Sequence, residues 1–223
     1  MTPLGREELV ERLRAEASTR YHDRHPFHVR MHEGLLSREE LQVWVANRFC
    51  YQARIPRKDA LILSKSDDPA FRRAWIRRIH DHDDPEGGIA MWLELARGVG
   101  LDPDEVRSER GVRPAVRFAC DAYLTLVRER SLVEAVASSL TEFFSPELME
   151  ERLAAWERHY PWVDRATLAY FRARVPRART DATEALEYVV RHADTRALQE
   201  RCIEAFVTKC DILWAILDAI DGG

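Results

Sequence analysis

The sequence predicts an all-α protein, a compact single-domain helical bundle, and three observations carry that expectation. Helix-start signatures recur along the chain, apolar residues repeat at i, i+3 and i+4, and no run shows the period-2 alternation of a half-buried strand. The 223 residues are 46% apolar and 32% charged, which suffices for a substantial core at the upper end of one-domain sizes. No Gly/Ser-rich linker divides the chain, so residues 1–223 read as one domain. No repeat of roughly 20–50 residues is present, which excludes solenoids.

The elements follow from local punctuation. A charged amphipathic helix is expected near 5–18. Ser37 with Glu40 makes a capping box that opens a helix over 38–54, and Pro56 is its expected stop. Asp68-Pro69 pairs an N-cap with a first-turn proline and opens a helix over 69–82. A helix over 88–98 ends at Gly98 and Gly100, and Asp102-Pro103 begins a short turn over 103–108. Beyond a helix over 114–130, Ser131 with Glu134 opens one over 132–144, and Ser145-Pro146 opens one over 146–158 that stops before Pro161. Two separate helices, 165–174 and 182–192, are expected on either side of Pro176, the second starting at Asp181 with Glu184. The last, 196–220, starts around Thr195.

Composition excludes several classes. The formal net charge is −4 and no basic tail stands apart, so nucleic acid is not an expected partner. The N-terminal stretch has no apolar core of a signal peptide and no later run reaches membrane-spanning length; a cytoplasmic protein with no membrane partner is expected. Cys50, Cys120, Cys202 and Cys210 lack any CxxC or Cys/His spacing and read as core thiols. No glutamate is followed by a histidine three residues on, so a bundle di-iron site is not supported. Among His80, Asp81, His82, Asp83 and Asp84, neighbours one or two apart do not share a helix face, so at most some of them could converge. Neither GxGxxG nor GxxxxGK[ST] occurs. No metal site and no classical dinucleotide or P-loop site is expected.

Polar residues nevertheless recur on the apolar faces. Arg48 and Gln52 fall on the stripe of Leu41, Trp44, Val45 and Ile55. Arg78 and His82 share a side with Phe71, Trp75 and Ile79, and Lys209 occupies a core slot between Phe206 and Leu213. It is one of only three lysines, with Lys58 and Lys65, among 34 Lys+Arg. Tyr123, Glu142, Tyr170 and Arg174 lie on inner faces of their helices. Any one of these taken alone reads as a satisfied core residue or an interhelical salt bridge. Together they are net cationic, which fits a polar cavity for a multiply anionic small molecule.

The strings YHDRHPFHVRMHEGLLS, WVANRFCYQ, IPRKDA, RRIHDHDD, RPAVRFACDAYL, ASSLTEFFSPEL, HYPWV, LAYFRAR and TKCDILWAILDA resemble, in the same order over essentially the whole chain, the pyrroloquinoline-quinone synthase (PqqC) family. The resemblance implies a haem-oxygenase-like bundle without haem, working as a homodimer. It implies a cofactor-free oxidase that closes a ring and removes eight electrons from the last biosynthetic precursor with dioxygen, releasing pyrroloquinoline quinone and hydrogen peroxide.

Position by position, the resemblance places substrate contacts at Tyr21, Arg48, Gln52, Lys58, Arg78, Tyr123, Glu142 and Arg152. It places catalytic groups at His22, His82, Tyr170, Arg174 and Lys209. A planar polycarboxylate suits the arginine fork, which singles out Arg48, Arg78 and Arg152 as its anchors. His82 is the expected general base, and Tyr170, Arg174 and Lys209 the donors toward reduced oxygen. Three differences stand out: Met149 occupies a place where the family pattern carries histidine, the DHDDPEGGI loop after His82 is short, and the chain ends at Gly223 where relatives often continue. Two alternatives remain at this point, an oxidase of the same scaffold acting on another substrate and a catalytically impaired quinone-binding homologue.

Overall fold

Capping chemistry sets most helix starts in the computed structural model of the chain, which describes residues 2–222. The helices are α1 (Arg6–Arg20), α2 (Pro26–His32), α3 (Arg38–Leu63), α4 (Pro69–Asp83), α5 (Gly88–Gly98), α6 (Pro103–Ser108), α7 (Pro114–Glu129), α8 (Leu132–Ser138), α9 (Ser145–His159), α10 (Ala169–His192) and α11 (Arg196–Asp221). Tight 3-10 turns cover His22–Arg24, Ser139–Phe144 and Arg165–Leu168, and no strand occurs among the described residues. The Ser37/Glu40 and Ser131/Glu134 boxes close as expected, and Asp68, Asp102 and Thr195 each accept a first-turn N–H.

Three local expectations are corrected. Pro56 does not stop α3, and Pro176 does not separate two helices: α10 runs unbroken from Ala169 to His192. A proline inside a helix removes one hydrogen bond and costs about 3 kcal/mol. Apolar burial of Ile62 beyond Pro56, and of Ala178, Ala182, Ala185 and Leu186 beyond Pro176, offsets that cost. Asp181 is therefore an interior residue of α10, not a helix start. The segment expected as one helix over 132–144 tightens to 3-10 geometry from Ser139 on. Helix α2 carries none of the usual capping residues: His25 accepts the Phe27 N–H through Nδ1, and Pro26 starts the helix.

Helix α3 is the central strut, packed against α4, α5 and α7, while α11 covers α1, α7 and α8, and α10 lies along α9. An aromatic cluster of Trp44, Trp92, Trp156 and Phe171 joins α3, α5, α9 and α10. The Trp92 indole N–H donates to the Val45 carbonyl at 3.0 Å, so this polar atom is satisfied inside the cluster. All four cysteines are buried and free.

Gly34 turns the chain from α2 into α3 with φ +76°, and a Cβ there would lie 2.6–2.8 Å from the His159 ring and Cβ. Gly34→Ala is expected to lower unfolding free energy by about 1–3 kcal/mol through left-handed strain and that clash. Urea denaturation of the two proteins checks it.

Candidate active site

The side chains that face each other inside the bundle come from seven segments, among them α5, which supplies Trp92. The first 3-10 turn and its flank supply Tyr21 and His22, and α3 supplies Arg48, Tyr51 and Gln52. The Ser139–Phe144 turn supplies Thr141 and Glu142, and α9 supplies Met149 and Arg152. Tyr170 and Arg174 come from α10, and Leu213 from α11. They enclose a cavity of about 40 Å³, room for only a few waters. Thr141 and Glu142 reach it from the 3-10 turn over Ser139–Phe144.

Charge is distributed unevenly around this cavity. On the α4/α10 side every cation has a carboxylate. Arg174 Nη2 donates to Glu142 Oε2 at 2.7 Å and lies 3.6 Å from Asp181. Arg78 donates to the Asp181 carbonyl, sits 3.7 Å from its carboxylate and covers the Trp75 face at 4.0 Å. Lys58 Nζ pairs with Asp59 at 2.7 Å. Burial would raise the Glu142 carboxyl, but Arg174, Lys58 and Arg78 outweigh it and hold it below the ordinary range.

On the α3/α9 side no carboxylate answers the charge. Arg48 forms no ion pair among the described residues; its guanidinium lies 4.0 Å from the Tyr51 ring centre and its buried Nη1 has no hydrogen-bond partner. Arg152 rests near the faces of Trp44 and Phe171, at 5.2 and 5.9 Å, and its Nε is likewise unpartnered. Burial and then Arg48 pull the Arg152 guanidinium down from its ordinary pKa. Two desolvated guanidiniums that repel each other across a cavity form an anion site.

Lys209 is fully buried between Tyr51 and Tyr123, 4.1 and 3.5 Å from their centres, and its Nζ bonds the Tyr51 hydroxyl at 2.8 Å. Burial, then Arg48 and Lys58, push its pKa well below that of an ordinary lysine. The Tyr170 hydroxyl donates to Gln52 Oε1 at 2.9 Å. Burial raises the phenols of Tyr21, Tyr51, Tyr123 and Tyr170, which keeps them protonated as donors.

His82 has a defined tautomer. Its Nδ1 lies 3.0 Å from the Arg78 carbonyl, which can only accept, so Nδ1 carries the proton and Nε2 presents a lone pair. That Nε2 is buried and unpartnered. Burial, then Arg174, lowers the His82 pKa to about 3, so the ring is neutral at pH 7. The short loop after it closes tightly: a Cβ on Gly87 would come within 2.7 Å of the His82 carbonyl oxygen, and one on Gly88 within 3.0 Å of the ring.

Of the residues singled out in the sequence, Tyr21, His22, Arg48, Gln52, Glu142, Arg152, Tyr170 and Arg174 line the cavity. Lys58, Arg78, His82, Tyr123 and Lys209 stand behind it, joined to it through Glu142, Arg174 and Tyr51. Arg78 donates to the Asp181 carbonyl and lies 3.7 Å from its carboxylate, while its Nε has no hydrogen-bond partner. Sequence reasoning missed Tyr51, Asp181 and His28. Tyr51 lies on the Arg48 stripe, three residues after Arg48 and four before Ile55, so spacing could have found it; Asp181 reads locally as a helix start, and His28 sits in the unrecognised α2. Among the described residues no group of three His, Cys, Asp or Glu is placed to hold a metal ion.

The helical-bundle fold is shared with solved proteins of haem-oxygenase-like fold. A TenA homologue from P. horikoshii superposes with TM-score 0.78 over 96% of this chain and 99% of its own, at 16% identity. A protein described as having a heme oxygenase-like fold, from Shewanella denitrificans, gives 0.76 over 97% and 90%, at 14% identity. At such identities the likeness shows the fold alone. The TENA/THI-4/PQQC family model matches residues 11–219, and the chain belongs to that family. Proteins named pyrroloquinoline-quinone synthase are 52% identical in Acidiphilium cryptum, over 96% of this chain and 88% of the relative, and 49% identical in Ruegeria pomeroyi, over 98% and 92%.

The buried histidines link stability to pH. Burial depresses His22, His28 and His82 in the folded chain, so between pH 6.5 and their folded values the unfolded chain binds more protons. Stability is therefore full above pH 6.5 and expected to fall as pH drops from about 6.5 to 5. Denaturation midpoints measured at pH 7.5, 6 and 5 should decrease in that order; a flat series contradicts the assignment.

Proposed function

We propose that this chain is a pyrroloquinoline-quinone synthase. It binds a planar polycarboxylate precursor, closes its ring, and transfers eight electrons to dioxygen, giving pyrroloquinoline quinone and hydrogen peroxide. It acts without a metal or organic cofactor, as a homodimer in the cytoplasm. The observation that carries the reading is the convergence of Arg48 and Arg152 on one cavity with no protein carboxylate to neutralise them. Near 50% identity to synthases over almost the whole chain agrees with it. No described helix is long and apolar enough to cross a membrane.

Each residue takes a role its surroundings permit. Arg48 and Arg152 bind substrate carboxylates, and Tyr21, Gln52 and Tyr170 orient the rings by hydrogen bonds. His82 accepts a proton through Nε2; a bound polyanion raises its depressed pKa toward the range where a base is effective. Arg174, Tyr170 and the Lys209–Tyr51 pair stabilise negative charge as dioxygen is reduced. A tricyclic ligand needs a site of roughly 300 Å³ or more, so the walls around the cavity of about 40 Å³ must part on binding. Met149, unbranched and on that wall, is readily displaced.

Purified protein mixed with the precursor in air should show quinone absorbance and peroxide together; tight binding with no oxygen uptake would sink the synthase reading in favour of a quinone-binding role. His82→Ala should leave precursor affinity within a few-fold while slowing oxidation at least about a hundredfold. Single-turnover rates alongside equilibrium titrations distinguish that outcome from unchanged turnover, which would remove His82 from the mechanism.

A further inference from the structure

Helix α2 is only seven residues long, yet it is anchored at both ends, by the His25 and Pro26 start and by the Tyr160 hydroxyl donating to the Met31 carbonyl at 2.9 Å. What it delivers to the interior is His28, 1% exposed. His28 Nδ1 lies 2.8 Å from the His22 carbonyl, which can only accept. The proton is therefore on Nδ1, and Nε2 offers its lone pair to Arg152 Nη2 at 3.1 Å. This is the one side-chain acceptor Arg152 has among the described residues.

We propose that His28 is the positioning residue of the anion site: a neutral imidazole that aims the Arg152 guanidinium at the cavity without consuming its charge. A carboxylate in the same place would orient Arg152 equally well, but it would neutralise the cation and compete with a ligand carboxylate for the same N–H groups. A neutral acceptor fixes direction and leaves the electrostatic demand intact. His28 also ties the two walls together, since its donor bond ends on the backbone of His22, itself a cavity residue. No role in the chemistry is assigned to it; it acts through Arg152.

The inference rests on the proposed function for the identity of the anion, and its test uses binding so that the two can fail separately. Equilibrium affinity for pyrroloquinoline quinone, a tricarboxylate, is measured for the unmodified chain and for His28→Gln, His28→Leu and His28→Glu, each also in an Arg152→Met background. Gln can donate to His22 and accept from Arg152, and is expected to bind within about threefold of the unmodified chain. Leu should weaken binding about tenfold and Glu about a hundredfold, in that order. In the Arg152→Met background the three variants should agree within about twofold. Equal losses with and without Arg152, or Glu binding as well as Leu, overturns the proposal. Should Leu fail to fold, the Gln and Glu pair carries the same comparison. Absence of oxygen uptake by the unmodified chain would remove the synthase reading and leave this one to be judged on the affinities.

Discussion

The interior of this bundle is organised by the need to accommodate buried cations. Lys58, Arg78, Arg152, Arg174 and Lys209 are all buried, and Arg48 is half-buried with an enclosed nitrogen. Desolvating any one of them without compensation costs several kcal/mol. The fold compensates in two different ways. Toward α4 and α10 it supplies carboxylates, Glu142, Asp59 and Asp181. Toward α3 and α9 it supplies only aromatic faces, hydroxyls and a neutral imidazole.

That asymmetry decides what the cavity can do. The paired side is balanced in charge, although Arg78 Nε, Arg174 Nη1 and the Asp59 carboxylate have no hydrogen-bond partner, and it holds His82 neutral with Nδ1 bonded and Nε2 free. The unpaired side carries positive charge that aromatic quadrupoles offset only in part. In the proposed function an anionic ligand completes it. The proposed function sets a base at one end and an anion trap at the other, alongside the Tyr170–Gln52 and Lys209–Tyr51 hydrogen bonds.

The hydrophobic scaffold serves the same arrangement. The Trp44, Trp92, Trp156 and Phe171 cluster is the core contact of four helices, and the faces of Trp44 and Phe171 also receive Arg152. Packing and cation support are therefore supplied by the same rings. Solved relatives with 14–16% identity keep the bundle, which shows how little of the sequence the helical frame requires.

What the sequence by itself determined was every signal confined to a few neighbouring residues. Capping boxes and Asp-Pro pairs marked helix starts, and the 3.6-residue period put Arg48, Gln52, Arg174 and Lys209 on inward faces before any fold was known. The resemblance added Tyr21, His22 and Arg152, which periodicity had not singled out. What only the tertiary structure decided was anything set by the face of another helix. The continuity of α3 through Pro56 and α10 through Pro176 depends on burial against neighbours, which outweighs a local penalty. The commitment of Arg78 to Asp181, and of Arg152 to His28, depends on which helices lie side by side. Spacing reveals that a charge is buried. Its partner is chosen by long-range packing, because desolvation binds it to whatever group the fold brings within about 3 Å.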